Sequence, residues 1–159
     1  MLLSLPAYMK PALLLPAPRV LLVDDNRDGL TVRKLLLEEV GCHVQIACGG
    51  EEALEIFGSS TFDIVVTDYR MPRMNGAELI AHLRALKPET PIILLSGFVE
   101  PLGLNEDNTG ADAVIAKSAG EPATLVRSVK RLAGTVRRKP PARQPAQSWT
   151  ASSYGNLSH

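Results

Sequence analysis

The stretch Phe62–Pro72, FDIVVTDYRMP, limits what this chain can fold into more than any other. Ile64, Val65 and Val66 form an unbroken β-branched run, which suits a strand covered on both faces of a sheet. The run meets Asp68, and Met71-Pro72 with Asn75-Gly76 just beyond closes off any continuation as strand. An aspartate at the carboxyl end of a central strand is badly placed for a core. It is well placed for a crevice, and loops beyond strand ends are where open α/β sheets hold their ligands.

The flanking segments repeat the alternation. Val20–Val23 reads as a continuous apolar strand ending at Asp24-Asp25, and a helix follows from about Asp28. Val32, Leu35, Leu36 and Val40 are expected on its inner face, with Gly41 as its stop. His43–Ala47 is a short strand whose alternating Val44 and Ile46 suggest a sheet edge. Glu51 and Glu52 favour the first turn of the next helix, and Gly58 is expected to end it. A third helix spans Asn75–Leu86 with Leu79, Ile80, Leu83 and Leu86 inward. Ile92–Leu95 is another unbroken strand, ended by Ser96-Gly97. Phe98–Gly110 contains Pro101, Gly103 and Gly110, so any helix there is short. Ala113–Ala116 is a last brief strand ending at Lys117. Pro122, Leu125, Val129, Leu132 and Ala133 define a final amphipathic helix.

Five strands alternating with helices predict an α/β fold of three layers, a flavodoxin-like (βα)5 arrangement with a five-stranded parallel sheet. The three unbroken strands belong in its middle, which agrees with the order 2-1-3-4-5. Parallel strands put their carboxyl ends on one edge, so Asp24, Asp25, Asp68, Ser96 and Lys117 should gather there. Three neighbouring carboxylates cannot all stay ionised without a cation. A hard oxygen cluster with room for water suits Mg²⁺ better than zinc. Lys117 adds a point charge of the kind that pairs with a phosphoryl oxygen, Ser96 a hydroxyl and Gly97 a backbone N–H. Together these groups make a site for an aspartyl phosphate.

The 159 residues allow one domain of ordinary size, and a composition 45% apolar and 21% charged is that of a soluble globular protein. The formal net charge of zero leaves no global field to recruit nucleic acid. Cys42 and Cys48 lack zinc spacing and are too few for a disulfide scaffold, so they read as reduced thiols of a cytoplasmic protein. Residues 1–18 carry Lys10 as their only charge and are broken by Pro6, Pro11, Pro16 and Pro18. They are expected to be a flexible leader, neither signal peptide nor membrane helix. The domain is expected over residues 19–134, followed by a flexible basic and polar tail over 135–159. No aromatic stacking pattern accompanies Arg137, Arg138, Lys139 and Arg143, so direct DNA binding is not expected. His43 and His82 read as ordinary surface or edge residues.

Asp24-Asp25, Asp68 with Met71-Pro72 and Asn75-Gly76, Ser96-Gly97, and Lys117 after Gly110-Ala111-Asp112 resemble the receiver domain of bacterial two-component response regulators. The resemblance runs from about Arg19 to Gly134. It implies that Asp68 is the phosphoacceptor and that Asp24, Asp25, Asp68 and the backbone carbonyl of Arg70 hold Mg²⁺. It also implies that Lys117 contacts the phosphoryl group and that Ser96 moves toward it as a switch. The implied donor is a sensor histidine kinase or a phosphotransfer protein. With little chain after Gly134, the phosphorylated state is expected to act through another protein, shifting between two conformations of different affinity for it.

Two positions depart from the family. Ser118 stands where proline usually forms a cis bond, and without proline that bond would cost about 3 kcal/mol. Val114 stands at the switch aromatic, so the usual coupled movement with Ser96 is not expected. These departures keep open a pseudo-receiver that binds a partner without phosphorylation, and a phosphate sink or relay intermediate remains within the same class. An FMN-binding flavodoxin would need a hydroxyl- and glycine-rich loop where Asp24-Asp25-Asn26 stands. A Mg²⁺-dependent phosphohydrolase would usually carry an aspartate where Arg70 stands.

Overall fold

The pleat of each strand divides its apolar run between two cores. Val20 and Leu22 point to one side of the sheet with Ile64, Val66, Ile93 and Leu95. Leu21 and Val23 point to the other with Val65, Ile92 and Leu94. A run covered on both faces buries every side chain, each worth about 1.5–3 kcal/mol of transfer free energy, and this is why Val20–Val23, Ile64–Val66 and Ile92–Leu95 show no polar alternation. The computed structural model describes residues 16–97 and 99–138, with side chains through residue 135. Most of the expected leader and the tail beyond 138 lie outside the described residues.

Along the chain come β1 (Arg19–Val23), α1 (Arg27–Glu39), β2 (His43–Ala47), α2 (Gly50–Ser59), β3 (Ile64–Asp68) and α3 (Gly76–Leu86). Then follow β4 (Ile92–Ser96), two four-residue helices α4 (Val99–Leu102) and α5 (Glu106–Thr109), β5 (Ala113–Ala116) and α6 (Glu121–Arg138). The strands form one parallel sheet in the order β2-β1-β3-β4-β5. Leu21 pairs with Val65, Asp68 with Leu95 and Ser96 with Ala116. Helices α1 and α6 supply Leu30, Leu37, Leu125 and Val129 to one core, and α2 and α3 supply Phe57, Leu79, Ile80 and Leu83 to the other. This is the flavodoxin-like architecture expected from the alternation of strands and helices.

Three local expectations are corrected. In α1, Val32 and Leu35 are 64% and 62% exposed and Val40 is exposed too, whereas Leu30 and Leu37 are buried. The inward stripe is Leu30, Arg33 and Leu37, spaced at three and seven residues. A charged residue occupies its middle, which moves the helix face away from the one that apolar residues alone suggest. Leu86, expected inward, is 56% exposed, because α3 ends there and Lys87 turns the chain away. Gly58 does not end α2; the helix continues to Ser59, and the Ser60 N–H donates to the Ile56 carbonyl. The last helix, α6, runs on to Arg138. Gly41, in contrast, does stop α1, with φ of 92°, a conformation that favours glycine.

Candidate functional site

Three backbone hydrogen bonds carry the sheet ladder one residue past the strands, and these orient the polar residues at its carboxyl edge. The Asp24 N–H donates to Ala47 O at 3.2 Å, the Tyr69 N–H to Leu95 O at 2.9 Å and the Lys117 N–H to Ser96 O at 2.9 Å. Asp24, Asp68, Ser96 and Lys117 are therefore fixed by the same sheet that forms the core. Asp24, Asp68 and Ser96 are buried, Lys117 is half-buried and Asp25 is exposed.

The structure brings Asp24, Asp25 and Asp68 together, with one carboxylate oxygen from each within 4.8 Å of the others. Lys117 Nζ lies 2.8 Å from Asp68 Oδ1 and 3.7 Å from Asp24 Oδ2. The Asn26 N–H donates to Asp24 Oδ1 at 3.0 Å, and Asn26 then caps α1 by accepting from the Asp28 and Gly29 N–H groups. The acidic turn is thus also a helix start, which holds Asp24 and Asp25 at a set angle. Arg70 and Asp25 face a shallow cleft shared with Tyr69, Met71, Pro72 and Asn75. Ser96 ends β4, Gly97 is exposed in the turn that follows, and Val114 is partly buried in β5. Lys117–Ser118 is trans, since the described residues contain no cis peptide bond.

The turn after Asp68 is tightly packed. The Gly76 N–H donates to Tyr69 O at 2.7 Å, and a Cβ on Gly76 would run into the Asp68 carbonyl and approach Tyr69 Cα at 2.9 Å. Asn75 caps α3 through the Glu78 N–H. Gly76 is required here by this close approach, not by its backbone angles.

Burial raises the Asp68 carboxyl above its ordinary value of 3.8. The Lys117 hydrogen bond opposes that rise and the Asp24 charge adds to it. Two buried carboxylates, Asp24 and Asp68, held this close together favour a further cation. The donor set consists only of hard oxygens at mutual distances a single small ion can span, so the residues fit Mg²⁺.

The motif pattern did not point to Arg33 and Glu121. Arg33 Nη1 donates to Asp24 Oδ2 at 3.2 Å, and its Nε and Nη2 donate to the two carboxylate oxygens of Glu121 at 2.6 and 3.1 Å. The Glu121 hydrogen bond raises the Arg33 guanidinium above its ordinary value, against burial, which lowers it. The available signal was the Leu30–Leu37 spacing, which puts Arg33 on the buried face of α1.

Fold and site together define a doubly wound α/β protein with an acidic, lysine-bearing crevice where the first and third strands meet. Residues 20–130 match the profile of the response regulator receiver domain, and the chain belongs to that family of two-component signalling domains. A response regulator receiver protein of Anaeromyxobacter is 37% identical over 108 residues, which cover 67% of this chain and 45% of that protein. The chain thus spans less than half the length of that curated relative. Among solved structures, the Thermotoga maritima response regulator TrrA, in complex with Mg²⁺ and BeF, has a TM-score of 0.65 and 33% identity. The match covers 72% of this chain and 98% of that one. The receiver domain of the Pseudomonas aeruginosa sensor histidine kinase PA1611, with a magnesium ion in its active-site cleft, has a TM-score of 0.67 and 26% identity. Here the coverage is 74% of this chain and 98% of the other.

Proposed function

We propose that this chain accepts a phosphoryl group on Asp68 from the phosphohistidine of a sensor histidine kinase or phosphotransfer protein, and signals through a partner protein. The 2.8 Å contact between Lys117 Nζ and Asp68 Oδ1, beside the converging Asp24 and Asp25 carboxylates, is the observation that carries this reading. A carboxylate oxygen of Asp68 attacks phosphorus as the donor's phosphorus–nitrogen bond breaks. The electron pair stays on the imidazole nitrogen, which takes a proton from solvent, and an acyl phosphate remains on Asp68.

Asp24, Asp25, Asp68 and the Arg70 carbonyl would hold Mg²⁺, whose chemistry is neutralisation of the phosphoryl oxygens. Lys117 moves its ammonium from the carboxylate to the transferred group, and Ser96 with the Gly97 N–H supplies hydrogen bonds at the end of β4. Val114 offers no ring to follow Ser96, so the change of state is carried by the Ser96 loop. The Mg²⁺-bearing receivers of T. maritima and P. aeruginosa support the metal part of this reading. A cytoplasmic setting and the absence of direct DNA contact belong to the same reading.

Intact-protein mass after incubation with acetyl phosphate tests it, with and without Mg²⁺ and alongside Asp68→Asn. A Mg²⁺-dependent gain of one phosphoryl group, lost in Asp68→Asn, is expected. No gain under any condition would leave a phosphorylation-independent binding module.

A further inference from the structure

Arg33 sits on the sheet-facing stripe of α1 with its side chain only 13% exposed, and both ends of its guanidinium are in use. Nε and Nη2 form a fork on Glu121, the first residue of α6, and Nη1 reaches Asp24 Oδ2. Gly29 leaves room for that reach, since a Cβ there would approach Arg33 Nη1 at 2.8 Å. Lys117 Nζ is 3.7 Å from the same Asp24 oxygen. Any cation entering the acidic cluster therefore meets a carboxylate already shared with Arg33. How much of the Arg33 charge reaches Asp24 depends on how much Glu121 neutralises.

We propose that Arg33 and Glu121 are a positioning pair that sets how tightly the acidic cluster holds a divalent cation. Arg33 acts as the resident counter-ion of Asp24, and Glu121 draws part of its charge away. This rests on the metal-binding reading above. Asp24, Asp25, Asp68 and Glu121 against Arg33 and Lys117 leave two net negative charges, matching one divalent ion. Removing Arg33 adds a negative charge to that balance, and removing Glu121 takes one away. Each effect is coulombic across a partly buried region, so single substitutions should move cation affinity by about 3- to 10-fold, in opposite directions. A merely structural pair would weaken binding whichever partner was lost.

The test is calorimetric titration of MgCl₂ into the full chain at fixed ionic strength, with a circular dichroism melt to establish that each variant is folded. Arg33→Gln should bind Mg²⁺ more tightly, Glu121→Gln more weakly, and the double variant close to the unaltered protein. Arg33→Lys keeps the charge and loses the fork, so its affinity should stay nearer the unaltered value than that of Arg33→Gln. Weakening in both single variants, or no change in either, overturns the assignment. Should Arg33→Gln fail to fold with Glu121 left unpartnered, the double variant decides against Glu121→Gln: weaker binding in Glu121→Gln that recovers in the double variant supports the pair, and a double variant as weak as Glu121→Gln overturns it. Absence of Mg²⁺ binding by the unaltered protein overturns the metal reading and this assignment with it, whereas binding without the opposed shifts overturns this assignment alone.

Discussion

Burial holds the Asp68 carboxyl above its ordinary range, the Lys117 hydrogen bond pulls it down, and the Asp24 charge pushes it up again. The folded chain thus keeps the Asp68 proton to a higher pH than the unfolded chain does. Ionised Asp68 therefore opposes folding, and this opposition is relieved as pH falls through the raised folded value toward 3.8. In chelator, Asp68→Asn should be more stable than the unaltered protein at neutral pH, and the difference should shrink on acidification through that window. Urea unfolding at several pH values checks this; a gain that persists at low pH would contradict it. Gly76 is constrained by space instead of charge. Gly76→Ala drives a methyl group into the Asp68 carbonyl and to 2.7 Å from Leu94 Cδ1, so it should cost about 1–3 kcal/mol in urea unfolding. Asp24, Asp68 and Lys117 were legible in the sequence because each interrupts or follows an apolar strand run. Arg33 was not, because hydropathy patterning counts an arginine as outward unless its partners are known.

That same arginine explains what was legible in the elements. All five strands and their order could be read, since a run such as Ile64–Val66 is long enough for burial and too short for a helix. The face of α1 could not. Val32, Leu35, Leu36 and Val40 offer as good an apolar spacing as the buried pair, yet the inward stripe packs Leu30 and Leu37 into the core and sets Arg33 between them against Asp24 and Glu121. The two faces separate experimentally. Leu30→Ala or Leu37→Ala removes a side chain that is at most 1% exposed and should destabilise by about 2–5 kcal/mol. Leu35→Gln, on the exposed face, should stay within about 0.5 kcal/mol of the unaltered protein. A larger loss for Leu35→Gln than for Leu30→Ala or Leu37→Ala in chemical unfolding would mean that α1 packs through the other face.

For the molecule as a whole, the site and the core are the same construction seen from two sides. Asp24 directly follows β1 and Asp68 ends the adjacent β3, and Leu21 and Val65 of these strands pair beneath them in the core. Bringing those strands together therefore also brings two carboxylates into repulsion, and only part of that is neutralised by Lys117 and Arg33. A cation that bridges them binds the folded chain and not the unfolded one. It must raise stability by mass action, about 2.7 kcal/mol at a hundredfold excess over its dissociation constant. For a domain of this size that is a rise in melting temperature on the order of 5–15 °C. Scanning calorimetry with MgCl₂ should show this shift, chelator should reverse it, and NaCl at matched ionic strength should not reproduce it. Asp25→Asn, at the exposed member of the cluster, should reduce the shift while leaving the cation-free melt nearly unchanged, because Asp25 takes no part in the buried contacts around Asp24. A melt indifferent to Mg²⁺ would mean that Lys117 and Arg33 already satisfy the carboxylates without a metal.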